Sequence, residues 1–328
     1  MTKKLYSVLF SLFIFILVFF LYITGKPTNS AGFFKVESGQ SLSQIGKNLT
    51  VQKFLNSRYP FYFYVLISGK SGSLKTGSYM ISQEDNFFDI ANKIVKGDTY
   101  RTKVTFPEGF NLNDVEKRLN ESGLALENIS LSKFKLGDFK DKFVFLEDAP
   151  DTASLEGYLF PDTYYFEADK TEKEIVEVFL DNFDKKLTSE MKEEIKKQNN
   201  KIFDIVIMAS LIEKEVKTLE DKKLVSGVFW KRIKLGIPLQ SCATIAYALG
   251  IDKWIYSFED TRVDSPYNTY LNRGLPTGPI SNPGLESIQA TIYPEKSDYL
   301  YYLSTLEGET IFSKTLEEHN INKAKYLK

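Results

Sequence analysis

The chain has 328 residues, 43% hydrophobic and 26% charged, enough for one large or two smaller folded units and unlike a disordered, collagenous or multi-span membrane chain. Lysine plus arginine number 42 against 43 acidic residues, so nothing marks a general nucleic-acid binder. One cysteine, Cys242, and one histidine, His319, exclude an intrachain disulfide, a cysteine-rich metal site and a multi-histidine site, leaving chemistry to carboxylates, amides and hydroxyls.

The first element in chain order is an uncharged apolar run from Leu5 to Ile23, preceded by Lys3 and Lys4 and followed by Thr24-Gly25-Lys26-Pro27. At about 1.5 Å per residue it spans about 28 Å, close to a hydrocarbon core of about 30 Å. It is longer than the apolar region of a signal peptide and lacks an A-x-A-like cleavage site, which predicts a retained anchor at residues 1–24. The flanking lysines place the N-terminus in the cytoplasm and send everything from about Gly25 outside. An exported chain without a disulfide points to a bacterial envelope.

Residues 33–98 read as a small domain. Phe34 to Leu49 (FKVESGQSLSQIGKNL) is a short strand, a Ser-Gly turn and an amphipathic helix with Leu42, Ile45 and Leu49 on one face. An aromatic stretch, Phe61 to Ile67, precedes a strand with a glycine kink at Leu74 to Ile81 and a helix from Phe88 to Val95 ended by Gly97. The VESGQSLSQIGKNL stretch resembles a LysM-type module, which implies recognition of N-acetylglucosamine-containing glycans; a small spacer domain is the alternative.

A second domain, residues 99–328, opens with a strand at Thr102 to Phe106, a Pro107-Glu108-Gly109 turn and a helix through Leu112, Val115 and Leu119. After LEGYLFPDTYYF (Leu155 to Phe166), one long amphipathic helix is predicted from Thr171 to Lys197, with Thr171 and Glu174 forming a capping box and Ile175, Phe179, Phe183 and Leu187 an apolar stripe. A hairpin is expected from Tyr299 to Ser304 and Glu309 to Phe312.

Between them, Ile202 to Ile212 (IFDIVIMASLI) is apolar around nearly the whole helical circumference and then presents Glu213-Lys214-Glu215. A carboxyl group over Val206 and Ala209 would resist ionisation and could donate a proton. Alternatively the helix reaches solvent and Glu213 pairs with Lys217 at i+4. Periodicity alone does not separate Glu213 from Glu215, which sits over Met208 and Leu211. Downstream, SPYNTYLNRGLPTGPISNPG (Ser265 to Gly284) is a long Pro-, Gly- and Asn-rich loop whose hydroxyls and amides suit a carbohydrate groove.

LEGYLFPDTYYF, ASLIEKEV, GIPLQSCATIAYALG, SPYNTYLNRGLPTGPISNPG and the closing FSKTLEEHNINKAKYLK together resemble the membrane-anchored endolytic murein transglycosylases, the YceG-like family. The resemblance runs from about Phe33 to Lys325 and implies an α+β architecture with an N-terminal transmembrane helix, the LysM-like domain and a larger mixed catalytic domain. It implies that Glu213 is the catalytic acid/base, protonating the glycosidic oxygen between N-acetylmuramic acid and N-acetylglucosamine and then drawing the proton from the muramoyl C6 hydroxyl, which attacks C1. The product is a 1,6-anhydromuramoyl end. The resemblance also implies that LQSCATIAY and SPYNTY line the groove. The residues expected to hold the glycan are Gln240, Ser241, Tyr267, Asn268, Thr269, Glu156 and Tyr158, with Glu156 in a supporting role or as the acid should Glu213 be structural. Cys242-Ala243 departs from the acidic residue and proline expected after the LQ pair.

No metal or organic cofactor is implied. The implied partners are peptidoglycan strands, peptidoglycan synthases and the cytoplasmic membrane, with the catalytic domain outside and no nucleic acid. A non-catalytic glycan-binding scaffold and a peptidoglycan hydrolase are the competing expectations. An aminodeoxychorismate lyase is disfavoured because the chain has no phosphate-binding loop for pyridoxal phosphate.

Overall fold

The computed structural model describes residues 2–24 and 30–327, apart from 125, 127, 169, 252, 254, 255 and 306. The chain divides into two compact units, Met1–Lys103 with Tyr165–Lys170, and Val104–Tyr164 with Thr171–Lys328. It is an α+β protein with, among the described residues, three two-stranded sheets.

The first unit contains α1 (Thr2–Thr24), β1 (Gly32–Val36), α2 (Leu42–Val51), α3 (Arg58–Ile67), β2 (Gly77–Ile81) and α4 (Phe87–Lys96). β1 and β2 pair antiparallel with Phe34 opposite Tyr79. Alternation along β1 sends Phe34 and Val36 inward onto Ile45, Leu49, Phe61, Val65, Ile90 and Ile94. Capping boxes at Ser41/Gln44 and Asn86/Asp89 start α2 and α4, and Gly97, left-handed at φ 73°, ends α4. The aromatic stretch before β2 is helical, with Pro60 tolerated in the first turn of α3. The anchor predicted at Leu5 to Ile23 lies partly outside the described side chains, which in α1 run from Tyr6 to Val18 and are all exposed. Among the described residues no helix is long and apolar enough to cross a membrane.

β3 (Arg101–Thr105) and β4 (Thr163–Glu167) each have residues in both units, and the second unit otherwise comprises α5 (Leu112–Asn120), α6 (Glu172–Lys186), α7 (Ser189–Lys197), α8 (Ile202–Glu215), α9 (Leu219–Lys234), α10 (Cys242–Leu249), α11 (Leu285–Ile292), β5 (Tyr301–Ser304), β6 (Thr310–Ser313) and α12 (Leu316–Tyr326). β3 pairs with β4, and β5 with β6 in the expected hairpin.

The helix predicted as continuous from Thr171 to Lys197 is instead two helices. The chain turns at Leu187, which is buried, and Thr188 caps α7 by accepting from the Met191 N–H, so that Met191 and Ile195 bury a second apolar face. Thr188→Ala is expected to cost about 1 kcal/mol, read as a lower thermal midpoint.

α8 is the axis of this unit. Every side chain from Ile205 to Ile212 is buried, and α11 packs against both α8 and α9. Lys201 offers no cap, so Asp148 from the segment between α5 and β4 accepts from the Ile202 N–H at 2.6 Å and the Phe203 N–H at 3.1 Å. A negative charge at this helix start is favoured by the helix dipole, and it anchors the far end of the helix that carries Glu213.

Candidate active site

Glu213 lies in the last turn of α8 with its side chain 9% exposed. One oxygen, Oε2, accepts from the Gly284 N–H at 3.0 Å and the Ser287 hydroxyl at 2.6 Å, and Lys222 Nζ lies 3.5 Å away. Gly284 is the N-cap of α11, so the carboxylate sits at a helix start. Lys222, itself buried, reaches Glu286 as well at 3.8 Å. The alternative of a solvated helix end paired with Lys217 is therefore not what the chain builds. The partner is Lys222 from α9.

A second carboxylate comes from the Pro107-Glu108-Gly109 turn. A Cβ on Gly284 would fall 2.0 Å from Glu108 Oε1, so only glycine lets this carboxylate lie where it does. A Cβ on Gly109 would meet Glu213 Cγ at 3.7 Å. The turn is held to the Ser281-to-Gly284 segment by reciprocal backbone bonds, Gly109 N–H to Asn282 O at 2.9 Å and Asn282 N–H to Phe110 O at 2.7 Å. Burial and the neighbouring Glu213 charge push the Glu108 carboxyl up, while Lys222 opposes them.

Glu156 is 2% exposed and ties three segments together. It accepts from the Leu112 N–H at 3.0 Å, the Tyr247 hydroxyl at 3.3 Å and Asn282 Nδ2 at 3.4 Å. Burial pushes its carboxyl up to about 7 against the pull of the Leu112 and Tyr247 donors.

Glu215 faces elsewhere. It accepts from the Ser241 and Tyr302 hydroxyls with the Arg232 charge nearby, yet burial dominates and raises its carboxyl. Arg232 is held by Leu239 O at 2.6 Å and lies over the Tyr301 ring at 5.0 Å.

The loop from Ser265 is welded to the start of α10. Gln240 N–H donates to Thr269 O at 3.1 Å, Ser241 N–H to Thr269 Oγ1 at 3.0 Å, and the Thr244 and Thr269 hydroxyls are 3.0 Å apart. Asn268 braces the turn, donating to Thr261 O at 3.1 Å and Val263 O at 2.8 Å and accepting from the Tyr270 N–H at 2.9 Å.

The model of the YceG-like family matches residues 34–325, nearly the whole chain. The chain belongs to the YceG-like family. An endolytic murein transglycosylase of Bacillus subtilis (strain 168) is 33% identical over 305 residues, covering 89% of this chain and 84% of the relative. One from Streptococcus pneumoniae (strain D39) is 31% identical over 319 residues, covering 89% of this chain but only 58% of that longer relative. The crystal structure of a YceG-like protein of Listeria monocytogenes matches with a TM-score of 0.62 at 34% identity, covering 90% of this chain and 99% of that one.

Within this YceG-like chain, the residues singled out from sequence fall into two groups. Ser241, Asn268, Thr269, Glu156 and Tyr158 are buried at 2% exposure or less. The first four bond to other protein groups, while the Tyr158 ring packs on Phe183, centroids 5.3 Å apart. Gln240 is exposed, with an unusual left-handed backbone at φ 54°, and Tyr267 is half-buried with its ring 4.8 Å from Tyr247. Cys242 is exposed, its Sγ 3.1 Å from the Tyr270 hydroxyl. His319 stacks on Tyr301 at 5.4 Å, and burial beside Lys323 and Arg232 pushes its imidazole down.

Sequence reasoning missed Glu108, Lys222 and Ser287. The one local signal was the Pro-Glu-Gly turn, read only as a turn. Lys222 and Ser287 carry no signature of their own, since their side chains meet Glu213 only through the packing of α9 and α11 on α8.

Proposed function

We propose that this chain is a membrane-anchored endolytic peptidoglycan lytic transglycosylase in which Glu213 is the catalytic acid/base. The observation that carries the reading is the arrangement of the Glu213 carboxylate. Oε2 is oriented by Gly284, Ser287 and Lys222, whereas Oε1 accepts no hydrogen bond among the described residues and is available for proton transfer. The names of the Bacillus and Streptococcus relatives support the substrate class.

In the proposed reaction Glu213, starting protonated on Oε1, delivers that proton to the glycosidic oxygen between N-acetylmuramic acid and N-acetylglucosamine, and the bond from that oxygen to the muramoyl C1 breaks. The muramoyl C6 hydroxyl then bonds to C1 and returns its proton to Glu213. No water is consumed, the carboxyl ends as it began, and the products are a 1,6-anhydromuramoyl end and a free N-acetylglucosamine hydroxyl. One fixed carboxyl group suffices, in contrast to the carboxylate pair of ordinary glycosidases. The exposure of Gln240 and the half-burial of Tyr267 support these two as sugar contacts, and Ser241, Asn268, Thr269, Glu156 and Tyr158, buried and engaged within the protein, would act on the glycan only through the surface they support. The reaction calls for no cofactor.

Residues 33–98 are proposed as a LysM-like glycan-binding domain and residues 99–328 as the catalytic domain. The uncharged run from Leu5 to Ile23 behind Lys3 and Lys4 supports α1 as a single-pass anchor in the bacterial cytoplasmic membrane, with the N-terminus inside and the chain from about Gly25 onward outside. An endolytic enzyme held there would meet nascent strands beside the peptidoglycan synthases and limit their length.

The test is digestion of purified peptidoglycan by the full chain in detergent, with products identified by mass. Anhydromuramoyl ends are expected. Reducing ends would replace the lyase by a hydrolase, and no cleavage by a folded chain would leave a glycan-binding scaffold. Ser287→Ala removes one short bond to the Glu213 carboxylate, worth about 1.5 kcal/mol, so about a tenfold loss of activity is expected with the fold intact.

A further inference from the structure

α3 has an unusual cross-section for a surface helix. One face is core, with Phe61 and Val65 fully buried. The other is also apolar: Tyr59, Phe63, Leu66 and Ile67 are 48%, 41%, 47% and 82% exposed. Their spacing, i, i+4, i+7 and i+8, makes them a single stripe, so this is one patch rather than scattered residues.

Three observations say what covers it. α1, whose described side chains are all exposed, makes contact with α3, so the helix that carries the stripe lies beside the anchor. Thr24 ends α1 and Gly32 begins β1, so the intervening residues tether the unit within about 25 Å of the end of α1. The surrounding sequence is also one-signed. From Ser38 to Gln83 there is no Asp or Glu, while Lys47, Lys53, Arg58, Lys70 and Lys75 are all present. The Arg58 guanidinium lies 5.3 Å from the Tyr59 ring centroid, at the N-terminal edge of the stripe. An aromatic and aliphatic stripe in a stretch whose only charged residues are cations is the composition of a helix lying in the headgroup zone of an anionic bilayer.

We propose that α3 lies in the outer leaflet interface beside α1, with Tyr59, Phe63, Leu66 and Ile67 facing acyl chains and the flanking Lys and Arg side chains meeting lipid phosphates. This rests on the reading of α1 as a membrane anchor. The first unit then has two attachments to the bilayer, a span and a surface helix, which hold it against the membrane instead of leaving it free on a tether.

The test uses the full chain with Cys242→Ser, reconstituted in vesicles of phosphatidylcholine and phosphatidylglycerol. A single cysteine, at Phe13→Cys in α1 or at Ile67→Cys in α3, carries an environment-sensitive fluorophore, and lipids spin-labelled near the headgroup or near the chain end serve as quenchers. Ile67 is so exposed that its replacement leaves the core untouched. The expected result is blue-shifted emission at position 67 quenched most by the shallow label, with position 13 quenched most by the deep one. Quenching at 13 with water-like, unquenched emission at 67 would overturn the proposal alone. Blue-shifted but unquenched emission at 67 would overturn it too, by placing protein, such as a second copy, on the stripe. No quenching at 13 would overturn the anchor reading itself.

Discussion

Glu213→Gln is expected to reduce the yield of anhydromuramoyl ends by about 10²- to 10⁴-fold, the contribution of a positioned general acid/base. The substitution keeps the shape of a side chain only 9% exposed and keeps an oxygen for the Gly284 N–H and the Ser287 hydroxyl. What it removes is the Oε1 that would give up a proton and take it back. Because Lys222 retains Glu286 at 3.8 Å, the fold should survive, and circular dichroism with a thermal melt checks that first. Product masses from wild type and variant on the same peptidoglycan decide the matter. Activity surviving in a folded variant would move the acid to another carboxyl group, with Glu108 the first to examine because it lies against the same Gly284.

Glu156 should give the protein a pH-dependent stability of unusual sign for a carboxylate. Its carboxyl is pushed from an ordinary 4.5 up to about 7 by burial, so between those values the folded state holds a proton that the unfolded state has released. The stabilisation is therefore complete below about pH 4.5 and is lost as pH rises through 7, to a total of about 3 kcal/mol. Glu156→Gln stays neutral throughout and should lose this component. The measurement is the thermal midpoint of both proteins between pH 5 and pH 8. Wild type should fall by several degrees relative to the variant across that range, and parallel profiles would sink the idea. The consequence reaches the site, because ionised Glu156 would hold its Leu112, Tyr247 and Asn282 donors more tightly while paying for a buried charge.

Much of the fold was legible because its signals are local. Capping boxes at Thr171/Glu174 and Ser41/Gln44, the glycine that ends α4 and the alternation in β1 each depend on residues within a few positions of one another. The continuous helix predicted from Thr171 to Lys197 failed for a related reason. Leu187 continues the stripe of four-residue spacing, and only the capping geometry of Thr188 and the burial of Met191 and Ile195 on a new face reveal the turn. The polar residues expected to touch glycan were chosen as hydroxyls and amides in a loop. Sequence could not show that Asn268 and Thr269 would spend those groups bracing the loop itself.

By itself the sequence determined the apolar N-terminal run, the mixed α and β elements, and a hydrophobic helix ending in Glu213-Lys214-Glu215 beside a Pro- and Gly-rich loop. It could not distinguish the two glutamates, because helical periodicity gives each an apolar neighbour one turn back. The tertiary structure decided between their surroundings. Gly284 and Ser287 come from 71 and 74 positions away to hold Glu213, and Ser241 from 26 positions away to engage Glu215. The physical reason is that a carboxylate's chemistry is set by the donors and charges within a few ångströms of it, and here those arrive only when α9, α10 and α11 pack against α8.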